Sequence, residues 1–358
     1  TAEGKPVQIG RLQRYATDVA MGQGKQFYTR APSTGKKVAV VGAGPAGLAA
    51  AHRLATKGHD VTIFEAKPKS GGLNEYGIAA YKSVDGFAQA EVDYVTAIGG
   101  ITIEHGRALG RDVHLSDLTS MYDAVFLGMG LPGVNALRAE GEDAAGVDNA
   151  VEFIADLRQA EDLAGVPVGR RVVVIGGGDT AMDCVRTARR QGAKSVTCLY
   201  RRDRANMPGS QREVGYAEEE GVAFDFLAAP KSVRAGKQPG VKAVRMHLGA
   251  PDASGRQSPE ETPDSEFTVP GDLIIAALGF DPEDLQEDWD APELKVSRWG
   301  TLTVDPAFAT SLPGVYAAGD IVRGASLVVW AIKEGRDAAD SIHAFLKDRA
   351  HTARVAAE

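Results

Sequence analysis

Residues 37–65 read KVAVVGAGPAGLAAAHRLATKGHDVTIFE, and this stretch decides the fold. Lys37-Val38-Ala39-Val40-Val41 is a short apolar run of the kind that forms a strand buried on both faces. Gly42-Ala43-Gly44-Pro45-Ala46-Gly47 follows, then an Ala/Leu-rich helix to about Lys57, ended by Gly58. Asp60–Glu65 is the next strand, which completes a βαβ unit. Gly42 permits the tight strand-to-helix turn, Gly44 lets the backbone approach a pyrophosphate, and Gly47 lets helix and strand pack closely. Pro45 and Ala46 open the helix, whose free N–H groups and partial positive charge face the phosphates. Glu65, followed by Ala66, ends the second strand 23 residues after Gly42 and is placed to accept hydrogen bonds from a ribose.

The same grammar recurs 134 residues later. Arg171–Ile175 is a strand and Gly176-Gly177-Gly178-Asp179-Thr180-Ala181 a turn. Met182–Gln191 is a helix capped by Gly192, and Ser195–Tyr200 is the second strand. One duplication at this spacing means two nucleotide-binding domains rather than a solenoid. The chemistry after the second strand differs, because Tyr200-Arg201-Arg202-Asp203-Arg204 stands where the first unit has an acid. Guanidinium groups hold a 2′-phosphate through charge-assisted bonds that a carboxylate would repel. The second site, with Gly176, Gly178, Asp179, Thr180, Ala181, Arg201 and Arg202, is therefore expected to prefer NADPH over NADH.

Working outward, Gly71-Gly72-Leu73 lies just past the acidic strand, where backbone N–H groups reach toward the flavin end of an FAD. Gly314–Asp320 is a strand ending in Gly319-Asp320, a carboxylate positioned to accept from ribityl hydroxyls. Ser326–Ala339, beginning with Ser326 and Val328, reads as a helix whose N-terminus points at the flavin and favours negative charge there. Glu75 and Tyr76 fall near the ring, with plain packing an equal alternative for Tyr76. Tyr122–Gly130 (YDAVFLGMG) and Asp272–Gly279 (DLIIAALG) read as crossing strands whose terminal glycines, Gly128 and Gly279 among them, pass close to cofactor.

The chain has 358 residues, 44% of them apolar and 25% charged, the balance of an ordinary globular protein of about two domains. A formal charge of −8 argues against nucleic acid, and no apolar run is long enough to span a membrane. The first residues lack an apolar signal core, which predicts a cytoplasmic protein. Two cysteines make neither a disulfide framework nor a four-thiolate iron–sulfur site. Cys184 and Cys198 read as buried structural thiols, and His52 and His59 as surface or capping residues. The seven histidines show no metal-ligand spacing, so no metal is expected. No catalytic side chain is expected either, because hydride passes between cofactors and the protein supplies stacking and water exclusion.

These residues resemble the two-dinucleotide-domain flavoproteins of glutathione-reductase type. Gly176–Arg189, Leu199–Glu213, Ala276–Asp284 and Gly319–Asp337 look like the NADPH-oxidising small (beta) subunit of glutamate synthase. Gln8–Thr17 and Gly71–Lys82 are more similar to the electron-input subunit of bacterial dihydropyrimidine dehydrogenase. The resemblance implies FAD and NADPH as cofactors, Leu109 as a backbone contact to the adenine, and electrons leaving through iron–sulfur clusters to a large synthase subunit or equivalent acceptor. Both families carry an N-terminal cysteine-rich cluster domain that these residues lack. Either that domain precedes Thr1 in a longer chain, or the clusters sit on another polypeptide.

The expected architecture is α/β with two Rossmann-like domains, the NADPH domain inserted into the FAD domain. Residues 1–35 form an N-terminal segment with a helix over Gln8–Ala20; the FAD domain takes 36–138 and 288–350, the NADPH domain 139–287, and 351–358 a tail. Between Val222 and Pro270 strand-like segments, broken by Pro239-Gly240 and by Pro251 through Pro263, read as an antiparallel excursion with exposed hairpins, and Asp281–Asp290 is an acidic solvated connection back to the first domain. The expected activity is an NADPH-dependent FAD oxidoreductase feeding glutamate synthase. The alternatives are the corresponding module of a dihydropyrimidine dehydrogenase and an FAD-binding scaffold without turnover.

Overall fold

The computed structural model describes residues 7–251, 257–284, 286–289 and 291–355. Helix α1 (Ile9–Gly22) leads into β1 (Lys37–Val41), α2 (Pro45–Thr56) and β2 (Asp60–Glu65). The one-turn helix α3 (Leu73–Tyr76), then α4 (Phe87–Thr96), β3 (Ile101–His105), α5 (Leu115–Met121), β4 (Ala124–Leu127) and the short β5 (Gly133–Val134) follow. A second run comprises β6 (Val147–Asn149), α6 (Ala150–Gln159), β7 (Arg171–Ile175), α7 (Asp179–Arg190), β8 (Ser195–Tyr200), α8 (Gln211–Glu219) and β9 (Ala223–Phe226). Three antiparallel strands come next, β10 (Ala228–Arg234), β11 (Gly240–Pro251) and β12 (Gln257–Pro270). The chain then returns through β13 (Leu273–Ala276), β14 (Phe280–Asp281), β15 (Val315–Ala317), α9 (Asp320–Arg323) and α10 (Val328–Val355).

Two parallel five-stranded sheets result, ordered β15-β4-β1-β2-β3 and β6-β13-β7-β8-β9. In each, the winding that carries the glycine turn starts on a central strand, β1 or β7, and reverses direction beside it; in the second sheet the short edge strand β6 precedes that winding. That reversal opens a crevice at the carboxyl ends of the strands, where ligands of such sheets bind. The central strands are buried on both faces and read as continuous apolar runs for that reason. β1 lies between α2/α10 and a layer of α5 with Trp289, Leu294 and Leu302, and β7 between α6/α7 and the antiparallel strands β10–β12. In the first unit, α2 offers Ala46, Ala50, Ala51 and Leu54 to the core, and α10 offers Ala338, Ala339 and Ile342. Small residues bring these two helices close: a Cβ on Gly335 would lie 2.3 Å from the carbonyl oxygen of Ala46.

Several boundaries differ from the sequence expectation. The helix after the second glycine turn starts at Asp179 rather than Met182, because Gly178 is its N-cap and the turn residues are already helical. Helix α10 begins at Val328, two residues later than expected, and runs to Val355, through most of the anticipated tail 351–358. Nothing in 340–355 breaks it, since Gly and Pro are absent there. Residues 356–358, like 1–6 of the N-terminal segment, lie outside the described residues.

The prolines of 251–263 do not break the excursion either. β12 is an edge strand, so prolines on it forgo no ladder bond on the open side. Pro263 falls in a bulge where the register jumps from Val244↔Glu266 to Met246↔Glu261. The hairpin tip, 252–256, is outside the described residues. The acidic connection is not wholly solvated. Leu285 and Asp290 are undescribed, but Trp289 is buried against Leu294 and Leu302, as an indole amid carboxylates must be to gain anything from its apolar surface.

His59 also departs from its expected surface role. It is buried, with Nδ1 2.7 Å from Thr34 Oγ1 and Nε2 2.9 Å from His343 Nδ1. Burial, followed by the neighbouring His343, lowers its pKa to about 4. Cys184 and Cys198 are free and buried in the second unit's core, where burial raises both thiol pKa values, that of Cys198 to about 12.

Candidate functional site

A cleft of about 650 Å³ opens at the reversal point between β1 and β4. Its floor is the first glycine turn, Gly42, Gly44, Pro45 and Ala46. Gly42 has φ +93°, and a Cβ there would meet Met129 Cα at 2.7 Å. Across the floor the backbones of Gly44 and Gly72 nearly touch; a Cβ on Gly72 would be 2.9 Å from Gly44 Cα. On Gly44 itself a Cβ would meet only Gly72 Cα, at 3.8 Å, so that face is open to the cleft. Gly44 is the N-cap of α2 and no side chain caps the helix, which leaves its first N–H groups for a ligand. A narrow, side-chain-free channel ending on an uncapped helix N-terminus fits a pyrophosphate.

The other expected FAD residues divide cleanly. Glu65, Ala66, Gly72, Leu73, Leu109, Gly128, Asp320, Ser326 and Val328 all line the same cleft. Gly47 and Gly319 stand behind it. A Cβ on Gly47 would lie 1.9 Å from the Gly42 carbonyl oxygen, and one on Gly319 would lie 3.0 Å from Ala46 Cβ, so both are glycines of close packing. Glu65 accepts from Ala43 N (2.7 Å) and Lys67 N (2.8 Å), which bolts the strand end to the turn while further lone pairs remain. Burial raises the pKa of the Asp320 carboxyl, and Ser326 Oγ donates to its Oδ1 at 3.2 Å.

Glu75 and Tyr76 turn away from the cleft. Glu75 is buried among Gln89, Gln159 and Arg158, and the Tyr76 hydroxyl accepts from Lys69 N at 3.0 Å. On this single turn the first two residues, Leu73 and Asn74, reach the cleft, and Glu75 and Tyr76 fall on the side facing away from it. Gly130, a terminal glycine of the expected crossing strand, lines the cleft, but sequence reasoning missed the rest of the far wall, which is made of Met129, Leu131, Pro132, Trp289 and, from the second unit, Asn149 and Glu152. Trp289 alone carried a readable signal, a single aromatic inside an acidic run.

The second turn is built alike at the reversal between β7 and β13. Gly176 has φ +148°, and a Cβ would meet the Ala277 carbonyl oxygen at 2.1 Å. Gly178 is the uncapped N-cap of α7 and has nothing within 4 Å of where its Cβ would be, again an open approach. Asp179 is engaged elsewhere, accepting from Ser210 N at 2.9 Å, and Thr180 is half-buried and Ala181 fully buried beneath the turn. Arg201 is exposed and Arg202 half-buried; among the described residues neither has an ion-pair partner, and the buried Nε of Arg202 has no acceptor. In contrast, Arg204 is held by Glu218. Unspent guanidinium groups beside an open helix N-terminus fit a phosphorylated nucleotide. Gly279 (φ +94°) packs toward Asn135 at the same crossing.

Two sheets of the same winding, each with a glycine turn and an uncapped helix at its reversal point, define a two-nucleotide α/β oxidoreductase. The chain belongs to the pyridine nucleotide-disulphide oxidoreductase family, whose model matches residues 36–335. It is 48% identical over 366 residues to the glutamate synthase [NADPH] small chain of Azospirillum brasilense, covering 98% of this chain and 76% of that one. The Escherichia coli (strain K12) glutamate synthase [NADPH] small chain is 46% identical, covering 95% and 75%. Among solved structures, Mycobacterium tuberculosis FprA in complex with NADPH superposes with a TM-score of 0.77 at 19% identity, covering 90% of this chain and 86% of that one. Despite the family's name, both cysteines lie in the second unit's core and neither lines the cleft. No helix among the described residues is long and apolar enough to cross a membrane.

Proposed function

We propose that this chain is an NADPH-dependent FAD oxidoreductase that serves as the electron-input small subunit of a glutamate synthase. The observation that carries the reading is the pairing of two open glycine turns with opposite surroundings. The first is bounded by Glu65, and the second by the unpaired Arg201 and Arg202. FAD in the first site would supply a ring able to take hydride from a nicotinamide and release electrons singly.

This chain's own residues do the rest. Gly42, Gly44, Pro45, Ala46 and Gly72 cradle the FAD pyrophosphate, Glu65 and Ala66 hold its adenosine ribose, and the Leu109 backbone meets the adenine. Asp320 accepts from the ribityl hydroxyls, and the N-terminus of α10, at Ser326 and Val328, faces the flavin with its positive end. Gly176, Gly178 and Thr180 hold the NADPH pyrophosphate, while Arg201 and Arg202 select the 2′-phosphate. In this reading the FAD domain comprises 36–138 and 288–350, interrupted by the NADPH domain at 139–287. Electrons then leave to the iron–sulfur and flavin centres of a large synthase subunit, in the cytoplasm. The relatives of matching identity are themselves small chains of that enzyme, and the likeness extends through the N-terminal half.

Anaerobic stopped-flow mixing of the FAD-loaded chain with NADPH tests the reading. Bleaching of the flavin band is expected; a flavin that stays oxidised would overturn the oxidoreductase reading in favour of a scaffold. Glutamate formation on addition of a glutamate synthase large subunit is expected. Electron delivery to a pyrimidine-reducing partner instead would replace the proposed partner.

A further inference from the structure

Between the two sites runs a segment that belongs to the first unit by sequence and to the second by packing. It starts at Leu73 and Asn74 in the cleft wall and continues to Ser83. Ala79 is fully buried in the second unit's core, among residues of α6, α7 and β7. Its N–H donates to Asp183 Oδ2 of α7 at 3.2 Å. Next to it, Lys82 Nζ lies 2.5 Å from Asp183 Oδ1 and 2.9 Å from Glu213 Oε2 of α8. Glu213 also receives Arg186 of α7 at 2.6 Å, and Arg186 and Arg190 share Glu220. The Tyr81 ring lies under both guanidiniums, 4.0 Å from Arg190 and 4.9 Å from Arg186. Arg158 of α6 joins the two ends of the segment, donating to the carbonyl oxygens of Glu75 (2.6 Å) and Ser83 (2.9 Å).

The geography gives this network a consequence. Asp183 lies four residues into the helix that starts at the second glycine turn, roughly 6 Å from it along the axis. Lys82 lies at the end of the segment that starts in the first cleft. One ion pair thus ties the nucleotide turn of one unit to the cleft wall of the other. The pair is sheltered, with side-chain exposures of 28% for Lys82 and 9% for Asp183, and is less screened than a surface bridge. Hydride transfer requires reacting atoms about 3–3.5 Å apart, and a misplacement of about 1 Å costs on the order of 10²-fold in rate.

We propose that Lys82 is a positioning residue for hydride transfer, acting through Asp183 and Glu213 to hold the second glycine turn in register with the first cleft. The proposal rests on the reading that these two sites hold the nicotinamide nucleotide and FAD. Lys82→Gln is compared with the native chain, with Lys82→Arg and with Lys82→Gln/Asp183→Asn, which leaves no unpaired carboxylate at that bond. Two readouts are taken: the limiting rate of flavin reduction with the NADPH dissociation constant, and the distance between spin labels on Ser116→Cys and Glu219→Cys, both exposed and one in each unit. The buried native cysteines stay unlabelled.

For Lys82→Gln the limiting rate falls about tenfold or more, the dissociation constant stays within about threefold, and the distance distribution broadens. Lys82→Arg restores both, and the double variant is no slower than the single. An unchanged rate and distribution, or a loss confined to NADPH affinity, overturns the proposal. Should Lys82→Gln fail to retain flavin, the distance distribution of the double variant decides alone, and a narrow native-like one overturns it. If the native chain itself is not reduced by NADPH, the functional reading falls, while the label distances still judge the clamp.

Discussion

Replacing Gly44 with alanine separates what the first glycine turn does for the fold from what it does for a ligand. Gly44 has φ −79° and ψ −176°, a conformation open to any residue, and its new Cβ would find only Gly72 Cα at 3.8 Å, an ordinary contact. The unfolded chain loses freedom, worth about 0.4–1 kcal/mol in favour of the variant. Alanine is a poorer N-cap than glycine by a similar amount. The apo-protein should therefore keep its stability to within about 1 kcal/mol. The methyl, however, projects into the channel floor, where it displaces a pyrophosphate from the first N–H groups of α2. Two lost charge-assisted hydrogen bonds at about 1.5–3 kcal/mol each come to about 3–6 kcal/mol, or roughly 10²–10⁴-fold in affinity. The assay is FAD titration of apo-protein by fluorescence quenching, beside urea unfolding of the same samples. Gly47→Ala is the contrast, since its Cβ would sit 1.9 Å from the Gly42 carbonyl oxygen and must break the turn itself. Flavin affinity of Gly44→Ala within about threefold of native would refute the channel assignment.

Neutralising Arg201 and Arg202 together to glutamine should weaken NADPH by about 10- to 100-fold and leave NADH nearly unchanged, by steady-state comparison; an unaltered preference removes the 2′-phosphate role. Cys184 and Cys198, with burial holding both thiols protonated, should stay unlabelled by a thiol reagent at pH 8 and react only in denaturant. Rapid native labelling would place one of them at a surface. His59 binds a proton less readily folded than unfolded, its pKa lowered from 6.5 to about 4. Between those values the unfolded state holds more protons, so stability is full above pH 6.5 and declines by as much as roughly 3 kcal/mol as pH falls toward 4. Urea unfolding at pH 7 and pH 4.5 should show that decline and show less of it in His59→Asn; equal slopes would mean His59 titrates normally.

The reach of the sequence followed the range of the interactions involved. Glycine spacing, strand apolarity and the terminal Glu65 or Arg201-Arg202 are local, and each turn's geometry follows from residues within one βαβ unit. Helix starts slipped by two or three residues because caps are set by the backbone, as at Gly178. Glu75 and Tyr76 were placed near the ring from their position alone, yet a four-residue helix turns them into Gln89, Gln159 and Lys69. His59 looked like a helix-end residue until α10 brought His343 to it from 284 residues away. The prolines of β12 argued against a strand until the topology made it an edge.

Two dinucleotide turns, the difference in their charge, and the inability of two cysteines to serve as a cluster site are all legible in the residues alone. Those properties are carried by residue type and short spacing. How the two turns are placed relative to one another came from long-range packing. It put Ala79 of the first unit into the core of the second, set Lys82 on Asp183, and closed the flavin-type cleft with Trp289, Asn149 and Glu152 from distant stretches of chain. Such contacts depend on how two separately wound sheets dock, and side chains far apart in sequence carry no periodic signal of their meeting.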